Sequence, residues 1–364
     1  MKIKDIISVI EQLAPLSYQE SYDNSGLLVG NSNDPVSKVL VCLDCIEATI
    51  EEAKSVGAEL IIAHHPFIFS GLKKINGKNY IERTIIKAIQ NNIAIYAAHT
   101  NVDNVDEGVN KKIGEKLGLK NLEILAPKSN ELVKFVVFVP IEHAETVKSA
   151  MFKAGAGEIG NYSECSFNQQ GEGTFKANEK ANPFVGEKNL RHSEPELKIE
   201  SIVPKTLIAD VIHNVITVHP YEEVAYDVYP LNNELKKVGS GMIGELPQEM
   251  DEMSFLNLLK KVFKANGIRY TKPLNKPVKK VAFCGGSGSF LLQNAIAKKA
   301  DVFITGDFKY HQFFDAEGKI LIADIGHYES EQFTPEIFKT IITKKFPNFA
   351  VHLSEINTNP INYL

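Results

Sequence analysis

Apolar positions recur along this chain in two alternating rhythms. Ile3, Ile6, Ile7, Ile10 and Leu13 fall at helical spacing, which predicts an amphipathic helix over 3–13 that Pro15 stops. Tyr22-Asp23-Asn24-Ser25-Gly26 reads as a polar turn feeding a short apolar strand that closes at Gly30. Residues 39–43 read as a buried strand ended by Asp44, and 49–56 as a helix that stops at Gly57. The next strand, from Leu60, runs into His64-His65-Pro66. The unit then repeats: a helix through 81–89, a strand over 93–98, and the polar end His99-Thr100-Asn101-Val102-Asp103-Asn104. Strands that are apolar throughout and alternate with helices predict α/β layering with both sheet faces covered.

Around residue 126 the pattern changes. It predicts a strand over 132–140, a helix over 142–154, a glycine turn at Gly155-Ala156-Gly157 and a loosely alternating segment over 162–175. A polar stretch over 176–196 follows, then a strand at 197–203, a helix at 207–215 started by Pro204, and a strand at 224–229. Two β-α-β halves of this size predict a ferredoxin-like α+β domain inserted at 126–246. From 247 the first rhythm returns. A helix is expected over 254–266, and the strand 278–283 ends in Cys284-Gly285-Gly286-Ser287-Gly288-Ser289. A strand over 302–304 leads to Thr305-Gly306-Asp307 and His311, and one over 320–323 leads to Asp324 and on to His327 and Glu331. The expected architecture is α/β: a two-part core of 1–125 and 247–364 with the inserted domain between the parts.

Composition narrows the function classes. A net charge of −5 without a long Lys/Arg run argues against a nucleic-acid surface as the main function. No apolar run reaches the length of a membrane span, and Met1-Lys2-Ile3-Lys4-Asp5 opens an amphipathic, charge-dotted segment rather than a signal peptide. Cys42 and Cys45 have C-x-x-C spacing, but inside an apolar run with no second pair nearby, so they read as buried small apolar residues. The expected compartment is the cytoplasm.

Ligands of α/β folds gather beyond the carboxyl ends of the strands. Asp44, His64, His65, His99 and Asp103 all fall there. Neighbouring residues of a regular strand face opposite ways, and Pro66 breaks the strand, so His64 and His65 diverge. Read alone, the pair fits either two ions of a dinuclear site or ordinary hydrogen bonds. His327 and Glu331 stand four apart and share one face of a predicted helix. If Glu331 bridges, two ions receive three protein ligands each: His65, Asp103 and Glu331 for one, His64, His327 and Glu331 for the other. Three protein ligands with an open position is the arrangement of catalytic metal sites, and nitrogen with carboxylate suits Zn, Mn or Fe. His99 and His311 are the candidates for proton transfer or substrate contact, or else for orienting the ligands. The glycine turn at 284–289 fits a phosphate cradle or a tight structural turn equally. His219-Pro220-Tyr221-Glu222-Glu223, the densest polar cluster of the insert, fits a binding feature or a turn with exposed carboxylates.

Five motifs together resemble the GTP cyclohydrolase 1 type 2 homologue family, also called Nif-three-like. They are Asp23-Asn24-Ser25-Gly26-Leu27, His64-His65-Pro66, His99-Thr100-Asn101-Val102-Asp103, Thr305-Gly306-Asp307 through His311, and Gly326-His327 through Glu331. They span both flanking segments in the family's order. Tyr22 stands where many members have tryptophan, and Cys45 where threonine is common. The resemblance implies two divalent ions per chain on His64, His65, Asp103, His327 and Glu331, zinc first among them. It also implies a ring-shaped homohexamer, and an insert that looks like the PII/CutA-like domain of some bacterial members. The expected activity is metal-dependent hydrolysis of a small molecule, either a nucleotide opened at a ring carbon or a phosphoester. The alternative is a non-catalytic metal-binding assembly whose insert senses a small molecule or a partner.

Overall fold

The opening helix runs Ile3–Leu13 and buries Ile3, Ile6, Ile7 and Ile10, the face its spacing marks. It is the first helix of a computed structural model that describes residues 1–364. The chain divides into two compact units, Met1–Pro127 with Lys236–Leu364, and Lys128–Leu235.

The first unit holds two sheets. In one, the spatial order is Gly26–Val29, Ala94–Ala97, Leu60–His65, Lys38–Asp44 and Ala350–Leu353. Only Gly26–Val29 runs antiparallel to its neighbour. Leu60–His65 is hydrogen-bonded on both sides, and Leu60, Ile61, Ile62 and Ala63 are fully buried, as expected of a central parallel strand. The register sets Asp44 beside His65. The second sheet has the order Arg269–Tyr270, Leu321–Asp324, Val302–Thr305, Pro277–Phe283, Glu234–Asp251 and Lys120–Ser129. Pro277–Phe283, Val302–Thr305 and Leu321–Asp324 are parallel, so their carboxyl ends open on the same side.

The 128–235 unit is built differently. Its four strands lie antiparallel in the order Phe167–Lys176, Arg191–Pro204, Leu132–Pro140 and Tyr226–Leu231. Helices Ala144–Lys153 and Ile208–Val218 bury Val147, Met151, Val211 and Val215 against Phe135, Val137, Val139 and Ile199. Chain order is β-α-β-β-α-β, that of the split β-α-β motif.

Two details differ from the sequence reading. The polar stretch 176–196 contains the start of Arg191–Pro204, which pairs with Phe167–Lys176 from Phe167↔Glu200 to Lys176↔Arg191. Phe167–Lys176 is largely exposed, so backbone pairing rather than apolar alternation defines it. Residues 236–246 were expected in the insert, but they belong to the first unit. They lie in Glu234–Asp251, whose Met242–Glu245 stretch pairs with Pro277–Phe283. Glycines at 239, 241 and 244 interrupt the apolar pattern there, which hides the strand from a periodicity reading.

Candidate metal centre

Both sheets of the first unit contribute to one cluster. Leu60–His65 ends in His64 and His65, and the short helix Thr100–Asp103 after Ala94–Ala97 carries Asp103. From the other sheet, Leu321–Asp324 leads into the helix His327–Glu331. All five expected ligands meet here.

The histidines are oriented from outside the cluster. His64 Nδ1–H donates to the Ala98 carbonyl at 2.9 Å. His65 Nδ1 meets Asp44 Oδ1 at 2.7 Å, and His327 Nδ1 meets Asp307 Oδ2 at 2.6 Å. Carbonyls and carboxylates only accept, so each Nδ1 carries its proton and each Nε2 is left to face inward. There His65 Nε2 and His327 Nε2 stand 3.3 Å apart, with Glu331 Oε2 at 2.9 and 3.0 Å from them. The other oxygen of Glu331 faces the other way: Oε1 lies 3.8 Å from His64 Nε2, which lies 3.6 Å from Asp103 Oδ1. His64 Nε2 and Asp103 Oδ1 are both buried without a hydrogen-bond partner. Burying such atoms unpaired is costly, and a cation between them would satisfy both. The donor set therefore fits divalent metal ions.

The grouping differs from that read in the sequence. Donor atoms of His65, His327 and Glu331 form one group and those of His64, Asp103 and Glu331 another, each within 4.8 Å. Asp103 thus goes with His64, and His65 with His327. The reason is topological: His64 turns toward the Ala98 end of its own sheet, while His65 turns toward the helix from the second sheet. Glu331 belongs to both groups.

Charge follows this geometry. Burial works against a charged His65, but the Asp44 and Glu331 carboxylates outweigh it and lift the ring to about 9. His327, likewise opposed by burial, is lifted to about 11 by Glu331 and Asp307. Burial raises Asp103, with Glu331 adding to it. Burial would raise Glu331 too, but the surrounding histidines hold it well below the usual range. Without metal the cluster thus holds protons that a bound cation would displace.

His99 is brought to the same place. Its ring stands 5.3 Å from that of His64 and 5.4 Å from that of His65, and the three form a further donor group. Asp23 Oδ1 holds His99 Nδ1 at 2.8 Å. Asp23 also accepts from the backbone and hydroxyl of Thr100; His99 first, and then these bonds, overcome burial and hold its carboxyl well below the usual range. His311 is placed elsewhere. It sits exposed in the turn Tyr310–Ala316, its ring against Tyr310 and Phe314, outside the three donor groups. Asp307, four residues before it, turns to His327 and Ser287.

The glycine turn at 284–289 resolves as structure. Gly285 N–H donates to Asn110 Oδ1, Gly286 N–H to Ser330 Oγ and Gly288 N–H to Thr305 Oγ1, at 3.0, 3.0 and 2.8 Å. Those donors are spent, so they form no phosphate cradle. Gly286 has φ +60°, and a Cβ there would stand 2.4 Å from Glu331 Oε1. The turn is therefore a wall against which the shared carboxylate rests. Cys42 and Cys45 are buried and free, as the sequence implied.

The sequence marks the five residues that meet here but understates what orients them. In the sequence Asp23 has the look of a turn former, and Asp44 and Asp307 of polar strand ends. The signal available was their position at strand ends beside the histidine motifs. Thr358, from the C-terminal segment, also donates to Asp44, a contact nothing in the sequence suggests.

Known proteins resemble this chain along its whole length. A Halalkalibacterium halodurans protein called GTP cyclohydrolase 1 type 2 homolog is 42% identical over 365 residues, covering 99% of this chain and 98% of that one. A Bacillus subtilis protein with the same description is 40% identical over 371 residues, covering 99% and 98%. Among solved structures, a Bacillus cereus protein related to NIF3 superposes with a TM-score of 0.87 at 41% identity, covering 100% of this chain and 99% of that one. A profile of the Duf34/NIF3 (NGG1p interacting factor 3) family matches residues 1–360, and the chain belongs to that family.

Proposed function

We propose that this protein is a dinuclear metal-dependent hydrolase of a small molecule, with a nucleotide as the first substrate class to test. The observation that carries the reading is Glu331. Its two oxygens face two different donor groups, His64 with Asp103 and His65 with His327. Two divalent ions held there would supply electrophilic polarisation of the group under attack and lower the pKa of water toward neutrality. Fewer than four protein ligands in each set leaves room for substrate.

The protein's own groups supply the rest. Asp23 fixes the His99 tautomer with Nδ1 protonated, so Nε2 is presented to the cluster as a proton acceptor. Phe69, 56% exposed, stands edge-on to His99 at 6.0 Å and offers an apolar face to a planar group bound there. A nucleobase suits that face, and the description of the relatives as GTP cyclohydrolase 1 type 2 homologs points the same way. Purified protein loaded with Zn, Mn or Fe is to be assayed against nucleotides and phosphoesters, with and without chelator. Turnover that vanishes with chelator and returns with metal is expected. If fully loaded protein turns over none of them, the non-catalytic metal-binding reading replaces this one.

A further inference from the structure

The His219-Tyr221 motif finds its place in a different site. A cavity of about 670 Å³ lies wholly within the 128–235 unit, lined by Phe138, Phe175, Phe184, Glu196 and Tyr221 among others. The rings of Phe175 and Phe184 each stand 6.3 Å from that of Tyr221, so three aromatic groups face a common space. Tyr221 is set firmly. Its backbone N–H donates to His219 Nδ1 at 3.1 Å, and His219 Nε2–H donates to the Phe138 carbonyl at 3.0 Å.

Glu196 is the unusual member. It is only 9% exposed, and the group that bonds it is the neutral Tyr221 hydroxyl, which donates to Oε1 at 2.9 Å. A buried carboxylate normally has a cation beside it. The lysine lining this cavity, Lys198, is committed to Glu200 at 2.5 Å. Glu172, Glu222 and Glu223 line the same space, so its balance is acidic. Space for the carboxylate is kept open by Gly173, where a Cβ would stand 2.2 Å from Glu196 Oε2.

We propose that this cavity binds a small organic cation by its alkylated ammonium head, with Glu196 as counter-charge and Phe175, Phe184 and Tyr221 as the surrounding ring faces. Aromatic faces attract such weakly hydrated cations, whereas an inorganic ion would give up water for rings that cannot replace it. The carboxylates repel phosphate, which sets this site apart from a nucleotide pocket. The site stands independently of the hydrolytic reading.

The test uses the full chain and two probes of equal shape, choline and its uncharged isostere 3,3-dimethyl-1-butanol, measured by titration calorimetry. Choline is expected to bind saturably and the isostere about tenfold more weakly or worse, the factor an ordinary charged contact carries. Glu196→Gln, which keeps an acceptor for Tyr221, should weaken choline by a similar factor. Glu331→Gln, in the metal cluster, should leave it unchanged. If Glu196→Gln does not fold, Phe184→Ala at an exposed ring serves in its place with the same expectation. No saturable choline binding, equal binding of the two probes, unchanged affinity in a folded Glu196→Gln protein, or displacement of choline by ATP at comparable concentration overturns the proposal.

Discussion

Histidine is used in two opposite ways in this molecule. In the candidate metal centre, His64, His65 and His327 each spend Nδ1 on an outside acceptor and leave Nε2 turned inward. In the 128–235 unit, His219 spends both nitrogens on the backbone, one as donor and one as acceptor. Burial also lowers the His219 pKa, which keeps the ring neutral. A ring with both nitrogens occupied holds a turn in place. A ring with one nitrogen pinned and one open is an oriented ligand. What separates a ligating from a structural histidine is thus the accounting of its second nitrogen, which burial alone does not reveal: His64 and His219 are both buried.

The comparison breaks most directly at Glu331. Glu331→Gln removes the charge common to both donor groups and is expected to reduce bound metal to near background by elemental analysis, whereas His64→Ala should empty mainly one group. Equal losses from the two variants would remove the shared role of Glu331. Next come the groups that pin the rings. Asp44→Asn and Asp307→Asn keep every ligand but loosen His65 and His327, and metal affinity should fall by about 10–100-fold. Unchanged affinity in competition titrations would mean that the rings need no outside partner.

Asp23→Asn probes the same principle in His99. If the proposed chemistry holds, turnover should fall by about 10–100-fold with metal content intact, since general acid–base catalysis is worth that much or more. Loss of metal instead would make His99 a ligand. On the structural side, His219→Ala should cost about 1–2 kcal/mol in urea unfolding, because it takes a partner from a part-buried carbonyl and a part-buried amide. It should leave metal content untouched.

The smallest effect is a pH trend. In metal-free protein, His65 has a folded-state pKa of about 9 against an ordinary 6.5. A raised pKa adds stability that is fully present below 6.5 and disappears as pH rises through about 9. Melting temperature without metal should therefore fall across that window. Loaded protein should hold its stability there, since metal binding favours the deprotonated rings. Parallel trends with and without chelator would contradict the assignment of His65 to the cluster.

Much of this was legible in the chain itself. The helix Ile3–Leu13 and the strands Lys38–Asp44 and Pro277–Phe283 follow from local periodicity, because buried elements must carry apolar residues at fixed intervals. The five candidate ligands were legible as polar residues at the ends of apolar strands. Which ligand joins which was not. Asp103 goes with His64, and His65 with His327, because two sheets built from segments far apart in sequence approach each other there. His311 looked equivalent to His99 as a histidine in a polar strand-end motif. Only the path of the turn Tyr310–Ala316 sends it to Tyr310 and Phe314 rather than to the cluster. The glycines at 285 and 286 match a phosphate loop in sequence, and only the folded chain occupies their amides with Asn110 and Ser330. Sequence determines which residues are apolar, turn-forming or able to bind, since those are local properties. The pairing of donors, the tautomer of each ring and the partner of each buried charge depend on distances across the fold, and these the tertiary structure alone decides.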